Sequence, residues 1–120
     1  MIQHVSVDVP RGSADDAVAF WALLGFTEVT PPEALRGTWR WVEREGTQIH
    51  LRGADDAVPP SGWHVAVVVA DFEATVEHLQ TAGFAFAPGR EIWGASRGKT
   101  TAPGGVEVEL MASSPAPSPG

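Results

Sequence analysis

The 120-residue chain contains no cysteine, and this absence removes several kinds of chemistry at once. Disulfides, thiolate metal ligands and cysteine nucleophiles are all excluded. Basic residues are also scarce: 8 lysines and arginines stand against 15 aspartates and glutamates, which gives a net charge of −7. Because binding to a phosphate backbone needs clustered cationic side chains, we expect no nucleic-acid partner.

Long apolar runs and a secretory leader are missing as well. No apolar stretch approaches the roughly 20 residues that cross a bilayer, so we expect no membrane partner. The first residues lack a basic segment followed by an apolar stretch, and we therefore expect a cytoplasmic protein. A hydrophobic content of 43% over 120 residues is typical of one globular domain. We place this domain at residues 1–112 and predict a disordered tail at 113–120, where serine, proline, alanine and glycine alone occur.

What the chain does contain is an internal repeat. Residues 4–9 read His-Val-Ser-Val-Asp-Val and residues 64–69 read His-Val-Ala-Val-Val-Val, which is 64 − 4 = 60 positions later. Each segment is followed by a helical pattern that stops at a Gly-Phe pair, at residues 25–26 and 83–84. The repeats, 1–53 and 62–112, also close alike, at Ile-His-Leu (49–51) and Val-Glu-Leu (108–110). Such self-similarity indicates two copies of one supersecondary unit.

Each repeat has the pattern of one strand, one helix and three further strands. The opening residues alternate between apolar and polar side chains, which is the period of a half-buried strand. Helical spacing follows, with Ser13 and Asp71 as expected N-caps and a glycine at each end. We predict an α+β fold of two βαβββ units that form a curved mixed sheet with the helices on its outer face. The valines would pack beneath the helices, which leaves His4 and His64 on the other face.

Each repeat therefore carries one metal-capable side chain on its first strand and one on its last. A single histidine on a strand is more often a hydrogen-bonded structural residue than a ligand, but symmetric placement favours a metal site. Imidazole and carboxylate ligands suit Zn, Ni, Co, Fe or Mn and do not select among them. The predicted metal ligands are His4, His50, His64 and Glu109. Without His50, the remaining three would form a set of two histidines and one carboxylate.

In these features the chain resembles the vicinal oxygen chelate superfamily, which includes glyoxalases, bleomycin-resistance proteins and extradiol dioxygenases. The resemblance covers nearly the whole chain up to Met111 and rests on the order and spacing of its motifs: His4-Val5, Phe20-Trp21, Leu24-Gly25-Phe26, His64-Val65-Ala66, Asp71, and Pro103 to Leu110. In metal-dependent members the ligands occupy positions that match the four residues named above, and the position of His50 varies. Ala102 departs from the pattern, since the family usually has an aspartate there.

The resemblance implies a metal-dependent lyase or isomerase of the glyoxalase type. Such an enzyme chelates two neighbouring oxygens of a small substrate and moves a proton through an enediolate, with Glu109 as the catalytic base and acid. The predicted substrate pocket is lined by Trp39, Trp41, Trp93 and Glu107. A homodimer is expected, because a curved half-sheet in this family closes its cup against a partner.

Two other functions stay open at this stage. An extradiol-type dioxygenase would use ferrous iron on the three ligands that remain without His50, although those enzymes usually carry two such modules. A metal-free protein that sequesters a cationic antibiotic is suggested by the acidity, the tryptophans and the segment Ile92-Trp93-Gly94, but that subgroup lacks the ligand set. Against glyoxalase I itself, no clear basic anchor for glutathione is evident; the candidates are Arg11, Arg40, Arg52 and Arg97.

Overall fold

The βαβββ order predicted for each repeat is confirmed by the structure, a computed structural model that describes residues 1–115. The chain divides into unit 1, residues 1–62 and 102–106, and unit 2, residues 63–101 and 107 onward. Part of the predicted disordered tail, residues 116–120, lies outside the described residues. Over residues 1–115, no helix is long and apolar enough to span a membrane.

Unit 1 is a four-stranded mixed sheet with one helix. Its strands follow the order β1-β4-β3-β2, in which β1 runs parallel to β4 and the other neighbours are antiparallel. The first and last strands of the unit are therefore neighbours, so Ser6 on β1 lies opposite His50 on β4. The elements are β1 (His4–Pro10), α1 (Ala14–Leu23), β2 (Thr27–Val29), a short 3-10 helix (Glu33–Leu35), β3 (Trp39–Arg44) and β4 (Thr47–Ala54).

Unit 2 repeats this topology with shorter strands. The strand order is β5-β8-β7-β6, and again the first strand is parallel to the last. His64 lies opposite Glu107 and Ala66 opposite Glu109, so these four side chains share one face of the sheet. The elements are β5 (His64–Val68), α2 (Phe72–Thr81), β6 (Ala87–Pro88), β7 (Arg97–Thr101) and β8 (Glu107–Met111).

Burial follows the alternation that the sequence shows. On β1, Val7 and Val9 are buried while His4 and Ser6 are exposed. Trp21 of α1 is fully buried and packs edge-on against two phenylalanines, Phe20 and Phe26, each with ring centroids 5.3 Å away. In unit 2 the fully buried side chains include Leu79 of α2 with Val108 and Leu110 of β8. The apolar positions of the strands thus form the core, and the intervening polar positions form the opposite face.

The two helices begin differently, although both were expected to have a side-chain cap. The carboxylate of Asp71 accepts a hydrogen bond from the Ala74 backbone N–H at 3.1 Å, as predicted. Ser13 precedes α1 but makes no such bond. Its φ and ψ of −99° and 4° continue a turn in which its own N–H donates to the Pro10 carbonyl. The extended backbone that an N-cap side chain usually needs is therefore missing at Ser13.

Candidate functional site

The carboxylate of Glu109 is the centre of a polar cluster on the sheet of unit 2. Glu109 is only 8% exposed, and its two oxygens face two different side chains. Oε1 lies 3.1 Å from Nε2 of His64, and Oε2 lies 3.5 Å from Nη1 of Arg97. Because β8 is the strand between β5 and β7, its neighbours deliver one partner from each side. These partners offset the cost of removing an ionised carboxylate from water.

The 3.1 Å between His64 and Glu109 is an ion-pair distance that is also compatible with two ligands of one metal ion. Imidazole nitrogen and carboxylate oxygen bind zinc-like ions at about 2.0–2.2 Å, so neighbouring donors on one ion are about 3.0–3.4 Å apart. The 3.1 Å between Nε2 and Oε1 falls in this range. The donor chemistry and the spacing of this pair therefore fit a divalent ion.

The two predicted ligands of unit 1 form part of an aromatic stack. The ring of His50 lies between His4 and Trp41, with both pairs of centroids 4.0 Å apart and interplanar angles of 10° and 4°. Trp39 meets His50 edge-on, with centroids 6.3 Å apart. His50 is buried as a result, at 8% exposure, whereas His4 stays exposed. Trp41 is thus one wall of the stack, which the sequence predicted as part of a pocket.

Hydrogen bonds decide which nitrogen of each imidazole is able to act as a ligand. The amide nitrogen of Gln48 donates to Glu43 at 2.8 Å, and its amide oxygen lies 2.7 Å from Nε2 of His50. Since an amide oxygen only accepts, Nε2 of His50 carries the proton and Nδ1 has the lone pair. By the same reasoning, Nδ1 of His4 donates to the amide oxygen of Gln3 at 2.6 Å, which leaves the lone pair on Nε2.

This stacking restricts how unit 1 can contribute to a metal site. The lone pair of an imidazole lies in the plane of its ring, so two rings stacked in nearly parallel planes do not direct their lone pairs at one point. In this conformation one histidine of the pair fits a given ion, and the second requires a rotation of its side chain. His4, exposed and with its lone pair on Nε2, needs the smaller change.

The local electrostatics also distinguish these histidines. Burial lowers the pKa of His50 below its usual value of 6.5, and the nearby charge of His4 lowers it further. The neutral imidazole is the form that binds a metal ion and also the form that stacks without a desolvation penalty. His50 therefore remains neutral under mildly acidic conditions in which an ordinary histidine takes up a proton.

The other predicted pocket residues, Trp93, Glu107 and Trp39, each contact a different set of neighbours. Trp93 donates from its indole nitrogen to the Ser113 carbonyl at 3.3 Å, and the guanidinium carbon of Arg97 lies 5.5 Å from its ring centroid. Glu107 is half exposed and pairs with Lys99 at 3.3 Å. Trp39 lines a cavity of about 420 Å³ in unit 1, with Glu28, Val29, Thr30, Pro31, Arg36 and Arg40.

Each unit thus brings its own two predicted ligands together, His4 with His50 and His64 with Glu109. Within residues 1–115 there is no group of three or more histidine, aspartate or glutamate side chains arranged to hold a metal ion. We call each of these two pairs a half-site.

Among the four basic candidates, Arg97 is the one that, within residues 1–115, forms an ion pair with a predicted metal ligand. Arg11 pairs with Asp55, Arg40 with Glu28 and Asp15, and Arg52 with both oxygens of Asp8, at distances of 2.5–2.8 Å. Sequence reasoning treated the four alike. Arg97 and Lys99 are two residues apart on β7, so their side chains lie on the face of the sheet that carries Glu107 and Glu109. This alternation is the sequence signal that distinguishes Arg97 from the other three arginines. Gln3, Gln48 and Glu43 were also missed as partners of the histidines.

Comparison with known proteins identifies the family of the chain and agrees with the fold. The family model for the glyoxalase/bleomycin resistance protein/dioxygenase superfamily matches residues 1–110. The chain belongs to this superfamily. A search of curated proteins finds no match. Matches among solved structures include a glyoxalase family protein from Bacillus anthracis, with 25% identity, a TM-score of 0.81, and 92% of this chain and 93% of that one covered.

Two further solved structures show the range of activities that the superfamily fold carries. A glyoxalase/dioxygenase from Nostoc punctiforme has 19% identity and a TM-score of 0.76, over 92% of this chain and 89% of that one. An antibiotic binding protein from a Streptomyces species has 22% identity and a TM-score of 0.70, over 92% and 93% of the two chains. At these identities the likeness concerns the fold alone. Superfamily membership rests on the match to the family model, and the choice between catalysis and binding depends on the site.

The lowered pKa of His50 predicts a pH dependence of stability. An unfolded chain protonates this residue near pH 6.5, while the folded chain resists protonation until a lower pH. Stability is therefore fully present above about pH 6.5 and falls as the pH drops toward the folded pKa. We expect His50→Gln to reduce this fall, whereas His78→Gln, a change at an exposed position of α2, leaves it intact. Urea unfolding of the metal-free proteins between about pH 7.5 and 5 measures the effect. An equal fall of the unfolding free energy with pH in His50→Gln and in wild type would contradict the prediction.

Proposed function

We propose that this superfamily member binds a divalent metal ion and acts as a lyase or isomerase on a small substrate with two adjacent oxygens. The observation that carries the proposal is the pairing of His64 with a nearly buried Glu109, whose donor atoms lie 3.1 Å apart. A histidine and a carboxylate at this spacing suit one ion. His4 supplies a further imidazole in this proposal, and His50 is the optional fourth ligand, through Nδ1.

The chemistry divides between the ion and the two oxygens of Glu109. When bound, a divalent ion supplies Lewis acidity, which polarises a substrate carbonyl and acidifies the adjacent C–H. With Oε1 of Glu109 directed toward His64, Oε2 is the atom that takes a proton from one carbon and returns it to its neighbour. The stack around His50 keeps that imidazole neutral and fixed in orientation.

We further propose that the site is completed in a homodimer. Each half-site offers fewer ligands than an ion with open substrate positions requires, since unit 1 directs one imidazole at a time and unit 2 directs two donors. In a twofold dimer, His4 of one copy would join His64 and Glu109 of the other, and the second site follows from symmetry.

A metal-free binding protein is the second candidate function. The observation that favours it is the stack of Trp41, His50 and His4, with Trp39 edge-on, because aromatic rings of this kind bind planar or cationic ligands. The net charge of −7 would also favour a cationic ligand. Metal binding separates the two candidates directly.

Glu109→Gln should weaken metal binding, because the amide keeps the shape of the ligand but loses its charge. We expect a loss of at least about 10- to 100-fold, the range found even for residues that only support ligands. Calorimetric titration of tag-free protein with Zn²⁺, Ni²⁺, Co²⁺ and Mn²⁺ measures it. Glu107→Gln is the matched control, since it removes the same charge from the same face two residues away and should bind as wild type does. A wild-type protein that binds none of the four ions at neutral pH would leave the metal-free candidate ahead.

Mixing two inactive variants tests whether the site is shared between copies. His4→Ala and Glu109→Ala should each lose high-affinity metal binding when alone. In a mixed dimer one site combines the intact Glu109 of one copy with the intact His4 of the other, so re-equilibrated mixtures should recover about a quarter of the sites. Light scattering checks that dimers form. No recovery from a dimeric mixture would show that the ligands belong to one copy.

A further inference from the structure

The guanidinium of Arg97 is held in place on three sides. Its Nε donates to the Arg90 carbonyl at 2.9 Å, and its guanidinium carbon lies over the ring of Trp93 at 5.5 Å from the centroid. The third side is Gly89, where even a methyl group would come within 3.4 Å of the arginine side chain. Gly89, Arg90 and Trp93 come from the loop between β6 and β7, and this loop therefore fixes the orientation of the planar cation.

In the part of the chain that the structure describes, the ion pair of Arg97 with Glu109 leaves part of its guanidinium without a hydrogen-bond partner. Its ion pair with Glu109 spans 3.5 Å, which is longer than the 2.7–2.9 Å of a strong charge-assisted hydrogen bond. The Arg90 carbonyl and the Trp93 ring carry no net charge. Within residues 1–115, its Nη2 makes no hydrogen bond that satisfies ordinary geometry. Within this part of the chain, Nη2 of Arg97 is thus available to donate to a second anion, on a side chain that is 19% exposed.

The other arginines considered as anchors do not share this property. Arg52 binds both oxygens of Asp8 at 2.7 and 2.8 Å, and Arg40 is bound by two carboxylates. Their charges are matched at short range by groups outside the proposed site. In a chain with a net charge of −7, an anion is repelled unless a local cation attracts it. In the described residues Arg97 forms an ion pair with Glu109, whereas Lys99, opposite Glu109 on β7, directs its ammonium to Glu107.

We propose that Arg97 binds the carboxylate of the substrate and so selects small 2-oxo or 2-hydroxy acids, an inference that rests on the proposed function of Glu109. A guanidinium donates charge-assisted hydrogen bonds to a carboxylate, Nη2 of Arg97 is available for one, and the Trp93 ring centroid lies 5.5 Å from the guanidinium carbon. Since Nη1 lies 3.5 Å from Oε2 of Glu109, a carboxylate held there keeps the neighbouring oxygen-bearing carbon next to the proton acceptor. Arg97 is therefore a substrate-binding residue that sets specificity.

Pyruvate and its uncharged methyl ester are matched probes for this assignment. They differ in charge at the group that Arg97 would bind and share the adjacent carbonyl. We expect wild type to bind pyruvate at least about 10-fold more tightly than the ester, consistent with about 1.4 kcal/mol or more for a charged hydrogen-bonded pair. Arg97→Met should abolish this preference, and Arg97→Lys should retain part of it as a point charge. Calorimetry or ligand-observed NMR measures the affinities, with zinc-loaded and metal-free protein, and circular dichroism checks that each variant is folded.

Lys99→Met is the matched control, because Lys99 lies on the same strand and face but pairs with Glu107. It should keep the preference for pyruvate, and an equal loss in Lys99→Met and Arg97→Met would show that only the overall charge matters. If Arg97 merely positions Glu109, Arg97→Met would lower zinc affinity and weaken both probes alike, which overturns the proposal. A wild-type protein that binds neither probe, or binds both equally, also overturns it. Failure of zinc binding counts separately against the metal-dependent function, since the preference for pyruvate is measured without metal as well.

Discussion

The burial of one carboxylate, that of Glu109, is the constraint on which the sheet of unit 2 depends. An ionised group with 8% exposure is destabilising unless cations or donors surround it. β8 lies between β5 and β7, and these neighbours place His64 and Arg97 beside its two oxygens. The arrangement leaves each oxygen with a different partner. One oxygen lies 3.1 Å from Nε2 of His64, and the other lies 3.5 Å from Nη1 of Arg97.

Unit 1 carries candidate ligands at the same positions of the repeat as unit 2, but their side chains make different contacts. His50 corresponds to Glu109 by its place in the unit, yet it is stacked between His4 and Trp41 and bonded through Gln48 to Glu43. An aromatic environment lowers the pKa of an imidazole by burial, so this half favours a neutral ligand, whereas unit 2 favours a charged one. Two copies of one fold unit thus carry the two kinds of donor, neutral imidazole and carboxylate, that the proposed metal site would use.

The sequence predicted the βαβββ order because period-two valines and helical spacing are local signals. Val7 and Val9 are buried and Asp71 caps α2, as their positions indicated. Ser13 makes no cap because the preceding turn fixes its backbone. One of the three further strands predicted for the second repeat is only the two-residue β6, Ala87–Pro88, beside which Phe86 packs closely over Gly98 of β7. Contacts of this kind depend on how distant segments pack, which local periodicity does not encode.

The alternation of side chains along the strands predicted the two pairs of candidate ligands. It did not predict which atoms of these side chains are able to bind a metal ion. Parity places Gln48 and His50 on one face, and only the hydrogen bonds show which nitrogen of His50 keeps its lone pair. The same alternation does not show which of the four candidate arginines is able to bind an anion, because that depends on the carboxylates with which each one pairs. The four-residue metal site remains a prediction. Diffraction at the cobalt absorption edge, from crystals loaded with Co²⁺, tests it most directly. We predict an anomalous peak about 2.0–2.2 Å from Nε2 of His64 and from one oxygen of Glu109, and a peak elsewhere, or none at saturating Co²⁺, would contradict a metal centre at this pair.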